Sequence, residues 1–441
     1  MRRSARVTLT LPSLMFERIL KATSKAQQKG TFNPQKEDLF YIVTELVHLG
    51  NIRKKKEFHS LKNEKLKKLL GYKLSTYIKI LENEEIIISD RKYIAGKKCF
   101  HYKLNLALVN SELIDYQLDV KGKLYKSITK EANRQKKNYN RLEPHLKQMK
   151  DLFYKTEFDT TEAKKWAKNN LKEGSLLAAI SSINNLSNSK TKYFNRNKTN
   201  QRLDTNYTCL NKNLRQCIKG NYVNIDLQNS QPVLLSLLLN TINSSTNSDS
   251  TLCYKKLKFK PFKLYKNKVV RAVSLIPKSG SISCNEEFIK FKNSCLVGRL
   301  YDEFICEFDD LNRDDVKRLM FAILFSSNKF KNGGGVPYSN EKKVFKTVYP
   351  LIYEITKTLK DGDRYGENES YKNLSISLQQ LESFIFIDVI AKELCENGII
   401  PLTIHDSFIV SKDEAEKAKN IAYNVFQTIF GVVPSFSIEV L

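Results

Sequence analysis

The segment Ile404-His405-Asp406-Ser407-Phe408-Ile409-Val410 sets one acidic residue between two apolar runs. Ile399, Ile400, Leu402 and Ile404 come before it and Phe408 to Val410 after it, which predicts two short strands joined by a tight His-Asp turn. Such a turn presents one carboxylate at a sheet edge. In isolation the same residues would suit an ordinary polar hairpin, so the reading depends on what lies upstream. There, Tyr222-Val223-Asn224-Ile225 ends at Asp226 and is followed by Leu227-Gln228-Asn229-Ser230-Gln231-Pro232 and the apolar run Val233 to Leu239. This pattern predicts a strand, an acid, a polar turn and a helix, with Asp226 also at a strand end. Two carboxylates delivered by two strand ends are what a two-metal phosphoryl-transfer site requires, because ions ~4 Å apart must be bridged by fixed anionic oxygens.

A third element lies between them, Arg313-Asp314-Asp315-Val316-Lys317-Arg318-Leu319-Met320-Phe321-Ala322-Ile323-Leu324-Phe325-Ser326. On a helix, Arg313, Lys317, Phe321 and Phe325 recur every fourth position and form a drifting stripe of two cations and two rings. Cations can hold a triphosphate while rings stack on a base. The same stripe would also serve an amphipathic core helix with a charged first turn.

In this order the three segments resemble motifs A, B and C of the single-subunit polymerase superfamily, which holds the family A DNA polymerases and the phage-type RNA polymerases. Motif A opens with a metal-binding Asp, motif B is Arg-x3-Lys-x3-(Phe or Met)-x3-Tyr-Gly, and motif C is His-Asp-Glu or His-Asp-Ser. Upstream, Arg202-Leu203-Asp204-Thr205 and Leu214-Arg215-Gln216 resemble segments that precede motif A in bacterial DNA polymerase I. Downstream, Lys412-Asp413-Glu414-Ala415 and Val433-Pro434 to Glu439-Val440 resemble that family's closing strand pattern. The resemblance covers about residues 200 to 441.

The departures bear on the sugar. Ser407 resembles the RNA polymerase version of motif C, and Phe321 the DNA polymerase version of motif B. Phe325 stands where both branches carry Tyr, and Ser326 replaces the Gly, so one hydroxyl that could sense a ribose 2′-OH is missing. Gln231 falls near the position where DNA polymerases place a bulky Glu and RNA polymerases a Gly, and its bulk argues for deoxynucleotides. Between motifs B and C, Leu378-Gln379-Gln380-Leu381-Glu382-Ser383 opens a long apolar helix towards Cys395. By resemblance, Gln379 or Gln380 would read the primer-template minor groove, or else cap the helix. Gly333-Gly334-Gly335 suggests a finger tip able to move when nucleotide binds.

The 441 residues carry 74 Lys and Arg against 47 Asp and Glu, a formal charge of +27, which suits a phosphate-rich partner. The eight cysteines, Cys99, Cys209, Cys217, Cys253, Cys284, Cys295, Cys306 and Cys395, are scattered and form no Cys-x-x-Cys pair. With five histidines in the chain, they predict reduced thiols of a cytoplasmic protein rather than a zinc site. No apolar run is expected to reach the roughly 20 residues that cross a membrane. The start, Met1-Arg2-Arg3-Ser4-Ala5-Arg6, has no hydrophobic signal core, although its Arg and Ser residues would also suit a transit peptide.

Residues 1–36 read as a basic lead, followed by an apolar helix from Glu37 to Leu49 and a Lys-rich loop, Arg53-Lys54-Lys55-Lys56. A short helix from Asn63 to Leu70 ends at Gly71, a C-cap signal, and a second runs from Leu74 to Glu82 with Ser75 and Thr76 near its start. Ile86-Ile87-Ile88 and Cys99 to Leu104 then read as strands around Ala95-Gly96-Lys97-Lys98. Helix, turn, helix and basic hairpin over 37–110 resemble a winged helix-turn-helix, with Lys73, Tyr77, Lys79, Arg91, Lys92, Lys97 and Lys98 as nucleic-acid contacts. A protein-docking module would share that pattern. Residues 111–200 look mostly helical and could form a thumb, leaving 201–441 for palm and fingers; Asn240 to Ser250 reads as a surface loop.

The expected fold is therefore α+β: a right-hand polymerase of palm, fingers and thumb with an antiparallel palm sheet, behind a winged helix-turn-helix domain. The expected chemistry is nucleotidyl transfer to a primer 3′-OH, on primer-template DNA with deoxynucleoside triphosphates (dNTPs). Asp226 and Asp406 would hold two Mg²⁺ ions, with Mn²⁺ as a substitute, and Lys317 would face the triphosphate and protonate the leaving pyrophosphate. Arg313 would clamp the outer phosphate, Phe321 and Phe325 would stack on bases, and Gln231 would sit by the sugar. His405, Arg202, Arg215, Gln379 and Gln380 would contact primer and template, with His405 alternatively structural. Replication or repair synthesis in a phage, plasmid or defence-type mobile element, with no visible proofreading domain, is the matching employment. A primase or RNA polymerase and a non-catalytic DNA-binding initiator are the alternatives. Oligomeric state is not legible.

Overall fold

The strand carrying Asp226 is the second in an antiparallel sheet of four, and the order of that sheet is what builds the site. The structure is a computed structural model describing residues 7–28, 33–52, 58–61, 63–71, 73–92, 100–137, 139–244, 285–308, 311–329, 335–360 and 370–441. Its chain divides into two units, one of residues 1–194, 204–220 and 441 and the other of 195–203 and 221–440.

The first unit begins with β1 (Thr8–Pro12), α1 (Ser13–Gln28), α2 (Lys36–Ile52), α3 (Asn63–Leu70) and α4 (Leu74–Asn83). β2 (Ile87–Ser89), β3 (Tyr102–Leu104), α5 (Leu106–Val109) and β4 (Leu113–Gln117) follow, and then α6 (Lys123–Lys137), α7 (Pro144–Lys155), α8 (Thr160–Asn170) and α9 (Glu173–Ser187). The lead expected over residues 1–36 is thus folded from residue 8. Val7, Leu9 and Leu11 alternate into the core while β1 pairs antiparallel with β4, Leu9 opposite Tyr116. β4 belongs with this N-terminal unit, so the helical region expected from residue 111 starts later. Met15 and Ile19 bury one face of α1, and Phe16 stacks on Phe40 of α2 at 4.8 Å. α2 is the hub, with Leu39, Phe40, Ile42 and Val43 all fully buried.

α3 and α4 form at the expected places. Gly71 sits at φ +82, where a Cβ would be strained, and its N–H returns to the Lys67 carbonyl at 2.9 Å. Ser75 and Thr76 do not cap α4; its N-cap is Lys73, with no side-chain cap bond. β2 and β3 pair antiparallel, Ile88 opposite Lys103. The loop holding Ala95 to Lys98, the Lys-rich loop 53–56 and Cys99 lie outside the described residues.

A two-stranded ribbon of β5 (Phe194–Arg196) and β6 (Leu203–Thr205) precedes the main sheet. That sheet comprises β7 (Tyr222–Leu227), β8 (Leu402–Ile404), β9 (Ser407–Ser411) and β10 (Phe436–Val440) in the order β10-β7-β9-β8, every neighbour antiparallel. Val223, Ile225 and Leu227 alternate to the face that packs with Phe408 and Val410 in the main core. Asn224 and Asp226 point to the other face.

Among the described residues, the second unit's helices are α10 (Ser230–Ser244), α11 (Glu286–Leu296), α12 (Leu300–Phe304), α13 (Arg313–Phe325), α14 (Ser339–Val348), α15 (Pro350–Lys360), α16 (Lys372–Ser383), α17 (Ala391–Glu396) and α18 (Ala415–Phe430). The surface loop expected from Asn240 thus gives way to α10 as far as Ser244, and residues 245–250 lie outside the described set. The middle of α10, Val233 to Leu239, is apolar on every side but for Ser236, with Val233, Leu234, Leu235 and Leu237 completely buried. A π-helical stretch, Phe384–Ile390, joins α16 to α17, and Phe386 packs near Phe408, Phe426 and Phe436. Contrary to expectation, Lys372–Glu396 is long and apolar enough by composition to cross a membrane, but 67% of its apolar window is buried in the protein, as a core helix would be. Gly333 and Gly334 fall outside the described residues.

Candidate nucleotide site

Register brings the two acids together. Asp226 on β7 stands opposite Ser407 on β9, and Asp406 is the residue just before Ser407 in the turn from β8. The Leu227 N–H donates to the Asp406 carbonyl at 3.1 Å, and the Gln228 N–H to the Ser435 carbonyl at 3.0 Å, so the end of β7 is pinned on both sides. His405 takes φ +58 to make the turn tight, an uncommon backbone for a non-glycine residue and one that clusters at functional sites. Ser407 Oγ donates to the Ile404 carbonyl at 3.0 Å, so this hydroxyl closes the turn. Both Asp226 and Asp406 are half-buried.

They line a cavity of about 380 Å³, and α13 forms part of its lining with Arg313, Lys317 and Phe321. Asn312 caps that helix, its Oδ1 accepting from the Asp315 N–H at 3.0 Å, while Val316, Met320, Ile323 and Leu324 bury the opposite stripe. This leaves Lys317 exposed and Phe321 half-buried. Phe325 lies one turn on, its ring 5.7 Å from that of Phe321 and tilted 56° to it, and packs against the main core outside the cavity lining, away from the place expected for stacking on a base. Arg313 is braced: Nε donates to Asp302 at 2.8 Å, Nη2 reaches the Gly298 carbonyl at 3.5 Å, and the guanidinium lies 5.6 Å over the Tyr301 ring. Gly298 sits at φ +80, a backbone that residues with a Cβ rarely adopt, and a Cβ there would also displace the flexible end of Gln228.

Two residues absent from the sequence reading complete the cavity. Tyr301 lines it, and burial holds its phenol well above the usual range, with nearby Asp406 adding to the rise and Arg313 opposing it. Glu382 is fully buried and lies in a bidentate pair with Arg202, Nε to Oε1 at 2.8 Å and Nη2 to Oε2 at 2.6 Å. Gln231 Nε2 donates to the same Oε2 at 2.6 Å. Burial pushes the Glu382 carboxyl up to about 7; Arg202 pulls it back and the charge of Asp406 adds to the rise. A signal for Glu382 did exist: it falls four residues after Leu378 and three before Ile385, on the buried stripe of its helix.

Three of the remaining expected contacts have other places. Gln379 Oε1 accepts from Asn200 at 3.0 Å, and Gln380, 7% exposed, donates to the Thr199 carbonyl at 2.6 Å. Both clip the 197–202 loop to α16 and neither lines the cavity. Arg215 sits in the 3₁₀ segment Lys212–Cys217 of the first unit, outside the cavity lining. His405 and Arg202 do line it.

Among the described residues no three or more His, Cys, Asp or Glu side chains form a metal cage. Two half-buried carboxylates at strand ends still fit Mg²⁺, which is bound through one or two carboxylates with water and substrate phosphate supplying the rest.

In the first unit, Lys73, Lys79, Arg91 and Lys92 are exposed. Tyr77 is instead a core residue, 2% exposed, with its hydroxyl donating to Asp38 at 2.7 Å, so it has no surface to offer nucleic acid. Lys79 and Arg91 share a groove of about 660 Å³ with Lys67, Glu82 and the exposed Phe100. Lys97 and Lys98 lie outside the described residues.

No family model and no curated protein matches this chain. Among solved structures, the chain is similar to the POL domain of Pol1 from M. smegmatis in complex with DNA primer-template and dNTP. That likeness has 9% identity and a TM-score of 0.30, covering 60% of this chain and 52% of that one. The chain thus spans about half the length of that neighbour, and a likeness this remote leaves the function to be argued from the cavity itself.

Proposed function

We propose that this protein is a template-directed nucleotidyltransferase that extends a primer 3′-OH from nucleoside triphosphates, with DNA synthesis as the favoured product. The observation that carries the reading is the convergence, in one cavity, of two strand-end carboxylates, Asp226 and Asp406, with the two cations Arg313 and Lys317 and the ring of Phe321. Arg313 is braced by Asp302, and both acids are half-buried where they line the cavity.

Asp226 and Asp406 would hold Mg²⁺. When bound, the ions would supply Lewis-acid stabilisation of the attacking and leaving oxygens. The bond formed joins the primer 3′-oxygen to the α-phosphorus, and the bond broken frees pyrophosphate. Arg313, fixed by Asp302 and the Gly298 carbonyl, would hold the outer phosphate through its planar fork. Lys317 would sit against the bridging oxygens and give a proton to the departing pyrophosphate. Phe321 would present its ring to the base. The exposed cations of α4 and the β2–β3 ribbon, Lys73, Lys79, Arg91 and Lys92, would hold duplex phosphates as a winged helix does.

Extension of a labelled primer on DNA and on RNA templates with Mg²⁺, offering dNTPs and ribonucleotides separately, tests the reading. Product from dNTPs supports a DNA polymerase. Product from ribonucleotides alone, without a primer, moves the assignment to a primase or RNA polymerase, the branch that Ser407 resembles. Absence of product with tight DNA binding leaves a non-catalytic initiator.

A further inference from the structure

Phe100 stands just before β3 with 42% of its surface exposed, in the wall of the groove of about 660 Å³ that α3 and α4 form with the β2–β3 ribbon. Leu74, Ile78 and Tyr102 of the same lining are buried and give the groove an apolar floor. Lys67, Lys79 and Arg91 line it as exposed cations, against Glu82 as the single acid among the described lining residues. Arg91 is set in place by its backbone: φ is +48, uncommon for a residue with a Cβ, and its N–H donates to Ser89 Oγ at 3.1 Å. The residue after Phe100 is fixed too. The His101 carbonyl accepts from the Asp90 N–H at 2.9 Å, and the His101 N–H donates to Asp90 Oδ1 at 3.1 Å.

A single exposed apolar side chain is ordinary on a protein surface. A ring in a concave site with three cations and one acid is a different matter, because the charge selects a polyanion and the ring selects one that carries apolar faces. Duplex DNA satisfies the cations alone: its bases are stacked on each other and show the protein only their edges. An unpaired base has a face to offer, and stacking on an aromatic side chain is how single strands are held without regard to sequence. We propose that this groove binds a single-stranded DNA segment, with one unpaired base stacked on Phe100 and the flanking phosphates on Lys67, Lys79 and Arg91. This inference rests on the nucleic-acid reading of the first unit and gives that unit a preference for DNA with an unpaired stretch over a closed duplex.

The test is fluorescence anisotropy of the full chain, at fixed salt and without nucleotide, on a blunt DNA hairpin and on the same hairpin carrying a single-stranded thymidine overhang. Wild type is expected to bind the overhang form at least roughly fivefold more tightly, the low end of one base–aromatic stack. Phe100→Leu, which keeps apolar bulk and loses the aromatic face, removes most of that preference, and Phe100→Trp keeps it. Both variants bind the blunt hairpin within about twofold of wild type, since phosphate contacts are left in place. Equal affinity of wild type for the two hairpins overturns the proposal and leaves a duplex contact. An overhang preference that survives in Phe100→Leu also overturns it and gives the groove to another partner, such as an acidic protein segment; both results spare the nucleic-acid reading. Binding of neither hairpin overturns both.

Discussion

Asp226, Arg313, Lys317, Glu382 and Asp406 come from distant stretches of chain and line a single cavity, while Lys73, Lys79, Arg91 and Lys92 are close in sequence and spread over the surface of the other unit. Apart from Glu382 the sequence points to both sets, the cations as contacts for phosphate and the two acids as metal ligands, yet the two are different kinds of site. In the cavity each charge has a fixed place, set by a strand register, an N-cap or a bidentate pair, so function there depends on geometry. On the α4 and β2–β3 surface the charges are exposed and act mainly as a field, which salt screens and which no single residue dominates. Tyr77 marks the boundary between the kinds: it lies among the lysines in sequence and inside the core in space.

The comparison breaks if single substitutions in the cavity are mild. Asp226→Ala or Asp406→Ala is expected to lower single-turnover primer extension by roughly a thousandfold or more, on the scale of losing a preorganised electrostatic partner. Lys317→Ala should lower it by about 10²- to 10⁴-fold, the range for a general acid; Lys317→Arg, which restores the charge without a ready proton, should recover binding more than rate. Rates within a few fold of wild type for these variants would place the chemistry elsewhere.

Tyr77→Phe sharpens the contrast from the other side. It removes the partner of the buried Asp38, whose carboxyl burial already holds above its usual range, and is expected to cost about 1–3 kcal/mol in chemical denaturation. Nucleic-acid affinity at fixed fraction folded should stay the same. A Tyr77→Phe protein of wild-type stability with weaker DNA binding would put that ring back on the surface.

Glu382 gives the cavity a pH signature. Its carboxyl is raised from 4.5 to about 7, so between those values the folded protein holds a proton that the unfolded chain has released. Its contribution to stability is therefore fully present below about pH 4.5 and is lost as pH rises to about 7. Melting temperature measured across that window should fall less steeply with rising pH in Glu382→Gln than in wild type; parallel profiles would show that this carboxyl does not titrate there. The smallest effects belong to the surface: Lys79→Ala and Arg91→Ala should each weaken DNA binding evenly across sequences and reduce the slope of log K against log salt by about 1.

The parts of the molecule that could be read in sequence are those whose function leaves a local pattern. Asp226 and Asp406 each interrupt a strand-length apolar run, and Arg313 and Lys317 share a helical stripe, so four of the cavity's charges were visible before any coordinates. The Arg202–Glu382–Gln231 network was not, because its members are joined over 180 and 151 positions of chain and no local period links them. Residues 8–12 carry a weak local signal for a different reason: Val7, Leu9 and Leu11 alternate over a single short strand, and the partner strand β4 lies beyond the helix-helix-ribbon segment. Tyr77 has an ambiguous local pattern, because an aromatic residue on a lysine-rich helix fits both a groove contact and a core position, and Asp38 on α2 decides between them.

The most direct measurement is rapid-quench extension of a labelled primer by wild type and by Asp406→Asn, a change that keeps the shape of the turn and removes one charge. A site built on paired strand-end carboxylates gives Mg²⁺-dependent product with the wild type and at least about a hundredfold less with the variant at an unchanged melting temperature. Equal rates from the two proteins, or no product from wild type with dNTPs or ribonucleotides, would contradict it.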